Sequence, residues 1–279
     1  MLIATPRRLT FPIQSGRDPD NNGTTIISLP VGRNGHAYKQ VDLLLTLAGA
    51  VVTDANIDTH LARVVVRLNG RTFIDVTGLE WMDLTGFDRA LTANSGIVPI
   101  RFGQLDARTI EGEDDPVFGT LDVDALEIEL QWSATAGAIV DKVECQGTVL
   151  ANEPLGQYHS WRRYSPTFSG ASEHIWDGIK LSDRQALAAL HVKNANVSNV
   201  KVELGNVMIM DSPKKFLDHE LREYEKIPNA IWCHVDLTRM HRHSHALPLG
   251  GDLRNALTFS VDPAGAVVII AKTVEQYAR

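Results

Sequence analysis

Residues 64–75 read VVVRLNGRTFID, and residues 200–211 read VKVELGNVMIMD. This pair constrains the fold more than any other feature, because a chain that repeats itself builds the same unit twice. Val64, Val66 and Leu68 match Val200, Val202 and Leu204, and Asp75 matches Asp211, all at one constant offset. Both copies alternate apolar and polar residues, the period of a strand with one buried face. Both also carry a turn pair, Asn69-Gly70 and Gly205-Asn206. Such pairs supply the positive φ angles that a two-residue hairpin needs.

The likeness runs on past the hairpin. GLEWMDLTGFDRAL follows the first copy and SPKKFLDHELREYEKI the second. The second predicts a helix capped by Ser212, with Pro213 in its first turn and Phe216, Leu217, Leu221 and Tyr224 on one face. The first predicts a poorer helix, broken by Gly86. Strand-like GIVPIRFG (96–103) and AIWCHVDL (230–237) come next, each trailed by a long polar loop. ALEIEL (125–130) then parallels ALTFSV (256–261), and ATAGAIV (134–140) parallels DPAGAVV (262–268). The offset between the copies shortens stepwise along the chain, and every change falls in a loop, where deletions are tolerated.

Each half thus has about eight strands and one short helix, with no βαβ alternation. The expected class is all-β: two tandem eight-stranded jelly rolls, each with a short helix after its hairpin. The first begins its strands at TTIISLPVG and YKQVDLLLTLAG, and the second at SPTFSG and QALAALHVK. The boundary falls near residue 155. An N-terminal jelly roll is expected over 1–155, led by an arm of about 1–22 that carries Arg7 and Arg8. A C-terminal jelly roll is expected over 156–279, with QYHSWRRY (157–164) as the link.

Composition narrows the function. At 279 residues and 44% hydrophobic, the chain can bury a large core without staples. A net charge of -7 argues against a broad nucleic-acid-binding face. Two cysteines, Cys145 and Cys233, make no disulfide framework and read as buried small hydrophobes in a reducing compartment. No apolar run has the length of a membrane span, and MLIATPRRLTFPIQSG lacks a signal-peptide core, so synthesis in the cytosol is expected.

The residues that could carry chemistry are few. His241, His243 and His245 alternate within MHRHSHALPLGG, with His234 upstream; on a strand they would point the same way and could hold a transition metal. The two-domain cupin enzymes use such a His-x-His pair, but with a downstream Glu, and here none follows before Glu275. The equivalent loop of the first half, RTIEGEDDPVFG, has no histidine. It offers Glu111, Glu113, Asp114 and Asp115, whose oxygens suit calcium but lack the D-x-D-x-D-G spacing of a calcium loop. The second loop is basic, with Arg239 and Arg242. An acidic loop of one copy facing a basic loop of another makes Arg239, Arg242, Glu113, Asp114 and Asp115 subunit-contact candidates. Glu127 and Glu129 alternate with Ile128 and are expected to face solvent. There is no G-x-S-x-G, Walker loop or C-x-x-C, so no catalytic residue and no cofactor are assigned.

The order of these motifs resembles the double jelly-roll major capsid proteins of tailless icosahedral viruses with an internal membrane, corticovirus-like bacteriophages among them. ISLPVG, YKQVDLLL and VVVRLNGRTF carry the likeness in the first half. LAALHVKNANVSNVKVELG, PKKFLDHELREY and AVVIIAKTVEQY carry it in the second, so that it covers about residues 24–279. The HRHSH and EGEDD loops match no motif of that family. The resemblance implies a structural protein without an active site. Its chains would form homotrimers of pseudo-hexagonal outline that tile a shell around an internal viral membrane. Neighbouring trimers and minor capsid and vertex proteins would be its partners, with no sequence-specific nucleic acid binding. Its place would be the virion capsid, and the host cytoplasm during assembly. The alternatives are a cupin-like metal-dependent enzyme and a sugar-binding jelly-roll module, the latter disfavoured by only 6% aromatic residues.

Overall fold

A computed structural model describes residues 7–13, 19, 22–47, 50–88, 91, 95–102, 117–134, 140–169, 173–179, 182, 184–204, 207–238, 246–248, 257–261 and 265–277. Two compact units emerge: Met1–Gly86 with Ala90–Tyr158, and Phe87–Arg89 with His159–Arg279.

The first unit holds strands β1 (Arg7–Phe11), β2 (Thr24–Leu29), β3 (Ala37–Leu47), β4 (Ala50–Val51), β5 (Leu61–Leu68), β6 (Arg71–Val76), β7 (Ile97–Arg101), β8 (Leu126–Trp132) and β9 (Lys142–Leu150). Helices α1 (Asp54–His60) and α2 (Gly78–Asp88) flank the β5–β6 hairpin. One sheet runs β1-β9-β3, with β7 and the short β4 also paired to β3. The other runs β2-β8-β5-β6. All of these pairs are antiparallel. Alternation explains the layers. Leu126, Ile128, Leu130 and Trp132 of β8 are buried, as are Val64, Val66 and Leu68 opposite them on β5. A one-residue slip would turn every one of these to water, at about 1.5–3 kcal/mol each, so the register is fixed. Glu127 and Glu129 lie on the other face, half-buried, and Glu129 pairs with Arg67.

The second unit takes in β10 (Gln157–Tyr164), β11 (Thr167–Phe168), β12 (His174–Trp176), β13 (Gln185–Lys193), β14 (Asn199–Leu204), β15 (Val207–Pro213), α3 (Lys214–Glu223), β16 (Trp232–Asp236), β17 (Leu247–Pro248), β18 (Leu257–Val261), β19 (Gly265–Ala266) and β20 (Val268–Gln276). Its sheets are β10-β20-β13-β16 and β12-β18-β14-β15; β17 adds to β13, and β11 pairs with β19. Leu190, Val192, Val200, Val202, Cys233, Val235 and Ile269 meet in its core. Leaving aside the two-residue strands β4, β11, β17 and β19, each unit is a jelly roll of two four-stranded sheets, and the all-β double jelly-roll class holds.

The register carries the duplication to the residue. Val64, Val66 and Leu68 face Leu130, Ile128 and Leu126; Val200, Val202 and Leu204 face Val261, Phe259 and Leu257. A bulge falls between Val66 and Arg67 in one hairpin and between Val202 and Glu203 in the other. A second bulge, between Tyr38 and Gln40 on β3, recurs between Leu187 and Ala189 on β13. Asn69 and Gly70 both have positive φ, 49° and 77°, as their turn requires; the Gly205-Asn206 turn lies outside the described residues.

Several expectations are corrected. QYHSWRRY does join the two units, which divide between Tyr158 and His159, and it does so as strand β10, with Tyr158, Ser160 and Trp161 buried. SPTFSG supplies only the two-residue β11, and the strand that opens the β12-β18-β14-β15 sheet is His174–Trp176; three residues carry no readable period. Residues 7–11 of the expected arm form β1, where Phe11 is buried and Arg7 and Arg8 sit on an exposed edge. Gly86 does not break α2. That helix closes a capping box, Thr77 Oγ1 accepting from Glu80 N–H (3.2 Å) and Glu80 Oε2 from Thr77 N–H (3.1 Å). Buried Trp81 and Leu84 hold it down, with Trp81 Nε1 donating to Pro99 O at 2.8 Å. In α3 the N-cap is Pro213 and no side chain caps it; Ser212 belongs to β15. Leu217 and Leu221 are buried, but Phe216 is 68% exposed.

Candidate functional site: loop candidates, exposed edges and a buried histidine pair

Glu111, Glu113, Asp114, Asp115, Arg239, Arg242, His241, His243 and His245 all lie outside the described residues. Among the described residues no three His, Cys, Asp or Glu side chains come together as metal ligands. No described helix is long and apolar enough to cross a membrane. Glu275, the acid a cupin-like site would need, is committed within the sheet: it accepts from Gln185 Nε2 and lies 3.7 Å from Arg162. Cys145 and Cys233 are buried and unbridged, and burial pushes the Cys145 thiol up to about 12.

His234 has a partner that sequence reasoning missed. His191 on β13 stands directly opposite it in the antiparallel register with β16. Both rings are buried, and their Nδ1 atoms are 2.7 Å apart. Neither Nε2 has a hydrogen-bond partner among the described residues. Phe87 stacks on His234 at 3.9 Å between ring centroids, and Trp161 stacks on His191 at 5.6 Å. Around them, Asp88 accepts from Lys226 (2.7 Å) and lies 3.5 Å from Lys272. Burial lowers His191 to about 4 against the opposing pull of Asp88; burial and then the neighbouring His191 hold His234 well below its ordinary range. The only signal in the sequence is one histidine in each of two mostly apolar strands. Their meeting is a matter of pairing register, which neither strand discloses alone.

Among the described residues, the exposed apolar side chains are concentrated in the second unit. Val207, Met208 and Ile209 follow one another on β15, the edge of its sheet, with Phe216 close behind in sequence and Ile175 on the opposite edge strand β12. An unblocked, apolar edge strand invites association with another chain.

Two tandem eight-stranded jelly rolls in one chain are the architecture of the double jelly-roll capsid proteins. Comparison with known proteins agrees. The sequence pattern of the viral coat protein P2 N-terminal domain matches residues 13–149, and that of its C-terminal domain matches residues 159–277. The chain belongs to the viral coat protein P2 family. Its fold is similar to that of the major capsid protein P2 of bacteriophage PM2 (TM-score 0.84, 16% identity, 99% of each chain covered). It is also similar to chains in the atomic structure of Sulfolobus Turreted Icosahedral Virus (0.65, 10%, 98% and 90%) and to the Faustovirus major capsid protein (0.61, 8%, 99% and 90%). No curated protein matches by sequence. The chain is thus a structural coat protein of the virion capsid and not an enzyme.

Proposed function

We propose that three copies of this chain associate as a trimer whose six jelly rolls give a pseudo-hexagonal building block. Such trimers tile an icosahedral shell around an internal membrane and meet minor capsid and vertex proteins at its edges. The carrying observation is the pair of jelly rolls with the same register and the same two bulges. Units built on one backbone frame give three chains six comparable jelly rolls for a hexagonal lattice. Closed rings of this kind need heterologous contacts, and the apolar edge at Val207–Ile209 supplies a surface that buries well against another copy.

Light scattering on the purified chain should return three times the chain mass, and Ile209→Glu should shift it to the monomer mass with its circular dichroism unchanged. A wild-type monomer at capsid-like concentrations would sink the reading. For the loops, we propose that Arg239 and Arg242 meet Glu113, Asp114 and Asp115 of a neighbouring copy. Reversing both arginines to Glu should then weaken assembly. The carboxylates Glu111, Glu113, Asp114 and Asp115 remain the proposed seat of any bound calcium; assembly unaltered by a calcium chelator would remove that role.

A further inference from the structure

The His191–His234 pair is unusual in its proton count. Two neutral imidazoles with Nδ1 atoms 2.7 Å apart must share one bridging proton. The ring that donates carries its hydrogen on Nδ1 and leaves Nε2 bare. The ring that accepts carries its hydrogen on Nε2. Among the described residues one buried acceptor and one buried donor are therefore without a partner in the neutral state, matching the two Nε2 atoms. Burying such groups has a cost that a packed core ordinarily avoids.

A first added proton goes to the bare Nε2. It leaves the bridge intact, and the positive charge that results is faced by the rings of Phe87 and Trp161. A second proton can only go to the bridging lone pair. It replaces the N–H···N bond with two N–H groups pointing at each other across the same short gap, so the rings must part. Parting them lifts Phe87 off His234 and Trp161 off His191.

We propose that His191 and His234 form an acid-operated latch within the second unit, closed while the pair holds one or two protons on its ring nitrogens beyond the bridge and opened by the proton that enters the bridge. The charged surroundings come from every element packed on the pair. Asp88 at the end of α2 and Asp236 on β16 favour the charge. Lys272 on β20, Lys226 after α3 and Lys214 within it oppose it. Glu220 and Tyr224 share a small cleft with His234 and Asp236.

The direction of the pH effect follows. In the unfolded chain both rings take up protons from about pH 6.5 downward, while in the folded chain His191 resists until about 4 and His234 is held well below its ordinary range by burial and by His191. Stability is complete above pH 6.5 and falls as pH drops towards 4, with each resisting histidine costing up to about tenfold in the folding equilibrium per pH unit.

The test uses the full chain in its assembled state. Histidine C2-hydrogen exchange, read by mass spectrometry across pH 3.5 to 8, should place His191 and His234 well below the other described histidines. Thermal midpoints should fall further between pH 6.5 and 4.5 for the wild type than for H191F/H234F. The folding-constant difference should reach roughly fortyfold over that interval from His191 alone, and more with His234 added. His191→Gln, whose amide can still bridge to His234, should lie between them. If both rings titrate near 6.5, or if wild type and double variant lose stability in parallel, the latch is overturned. Should the double variant not fold, the exchange measurement on the wild type decides alone.

Discussion

The β5–β6 and β14–β15 hairpins are the same object in two settings. They share register, the position of their bulge and even a diagonal contact. Arg63 binds Asp75 through two bonds of 2.5 and 2.6 Å, and at the matching positions of the second copy Asn199 donates to Asp211 at 3.0 Å. Their coverage differs. Phe73 on β6 is 3% exposed beneath Phe102, Phe118 and Tyr158, while its counterpart Ile209 on β15 is 40% exposed. The helices that follow differ likewise, α2 boxed and pinned by Trp81, α3 uncapped by any side chain and showing Phe216 to solvent. Duplication preserved what the sheet needs and left free what the sheet does not touch. Backbone register, being all-or-none, is inherited, whereas surface is adjusted residue by residue.

Substitutions at matched positions test this parallel, and the core comes first. The inward positions should behave alike: Val66→Asp and Val202→Asp each bury an unpaired carboxylate in a site with no exposure, and each should cost more than about 3 kcal/mol in chemical denaturation. If one variant folds normally, the cores are not equivalent. At the next strand the copies should part. Phe73→Glu should abolish soluble folded chain, and Ile209→Glu should leave the fold intact and act on oligomeric mass alone. At the helix starts, Thr77→Ala should lose about 1 kcal/mol by removing the capping box, and Ser212→Ala almost nothing. The smallest effect concerns the diagonal pair. Asp75→Asn should cost under about 1 kcal/mol and lose its effect at high salt, while Asp211→Asn, which keeps the amide of Asn199 and loses a longer-range attraction to Lys201, should depend less on salt.

Legibility in the sequence depended on the length over which a pattern repeats. The hairpins were plain because Val64, Val66, Leu68 and their counterparts alternate beside a turn pair that admits few conformations. His174–Trp176 was invisible, since three residues complete barely one period. Strand β10 was disguised by Arg162 and Arg163, whose charges read as linker although Ser160 and Trp161 beside them are buried. Gly86 looked like a helix breaker because its propensity penalty of about 1 kcal/mol is local, while the packing of Trp81 and Leu84 that outweighs it is tertiary. The histidine pair lay beyond single-strand reading altogether: position 191 meets position 234 only once β13 and β16 are aligned. The cluster that first draws the eye, His241, His243 and His245, lies outside the described residues.

The two thiols have a practical corollary. Cys145 and Cys233 are buried and unbridged, and the first holds its proton to about pH 12, so a maleimide or disulfide reagent, which attacks through the thiolate, finds little to react with on the folded chain. The native protein is already its own blank for site-directed labelling. A single cysteine placed at Met208 would carry a fluorophore or spin label against that silent background, and its environment could be followed as free chains become a shell.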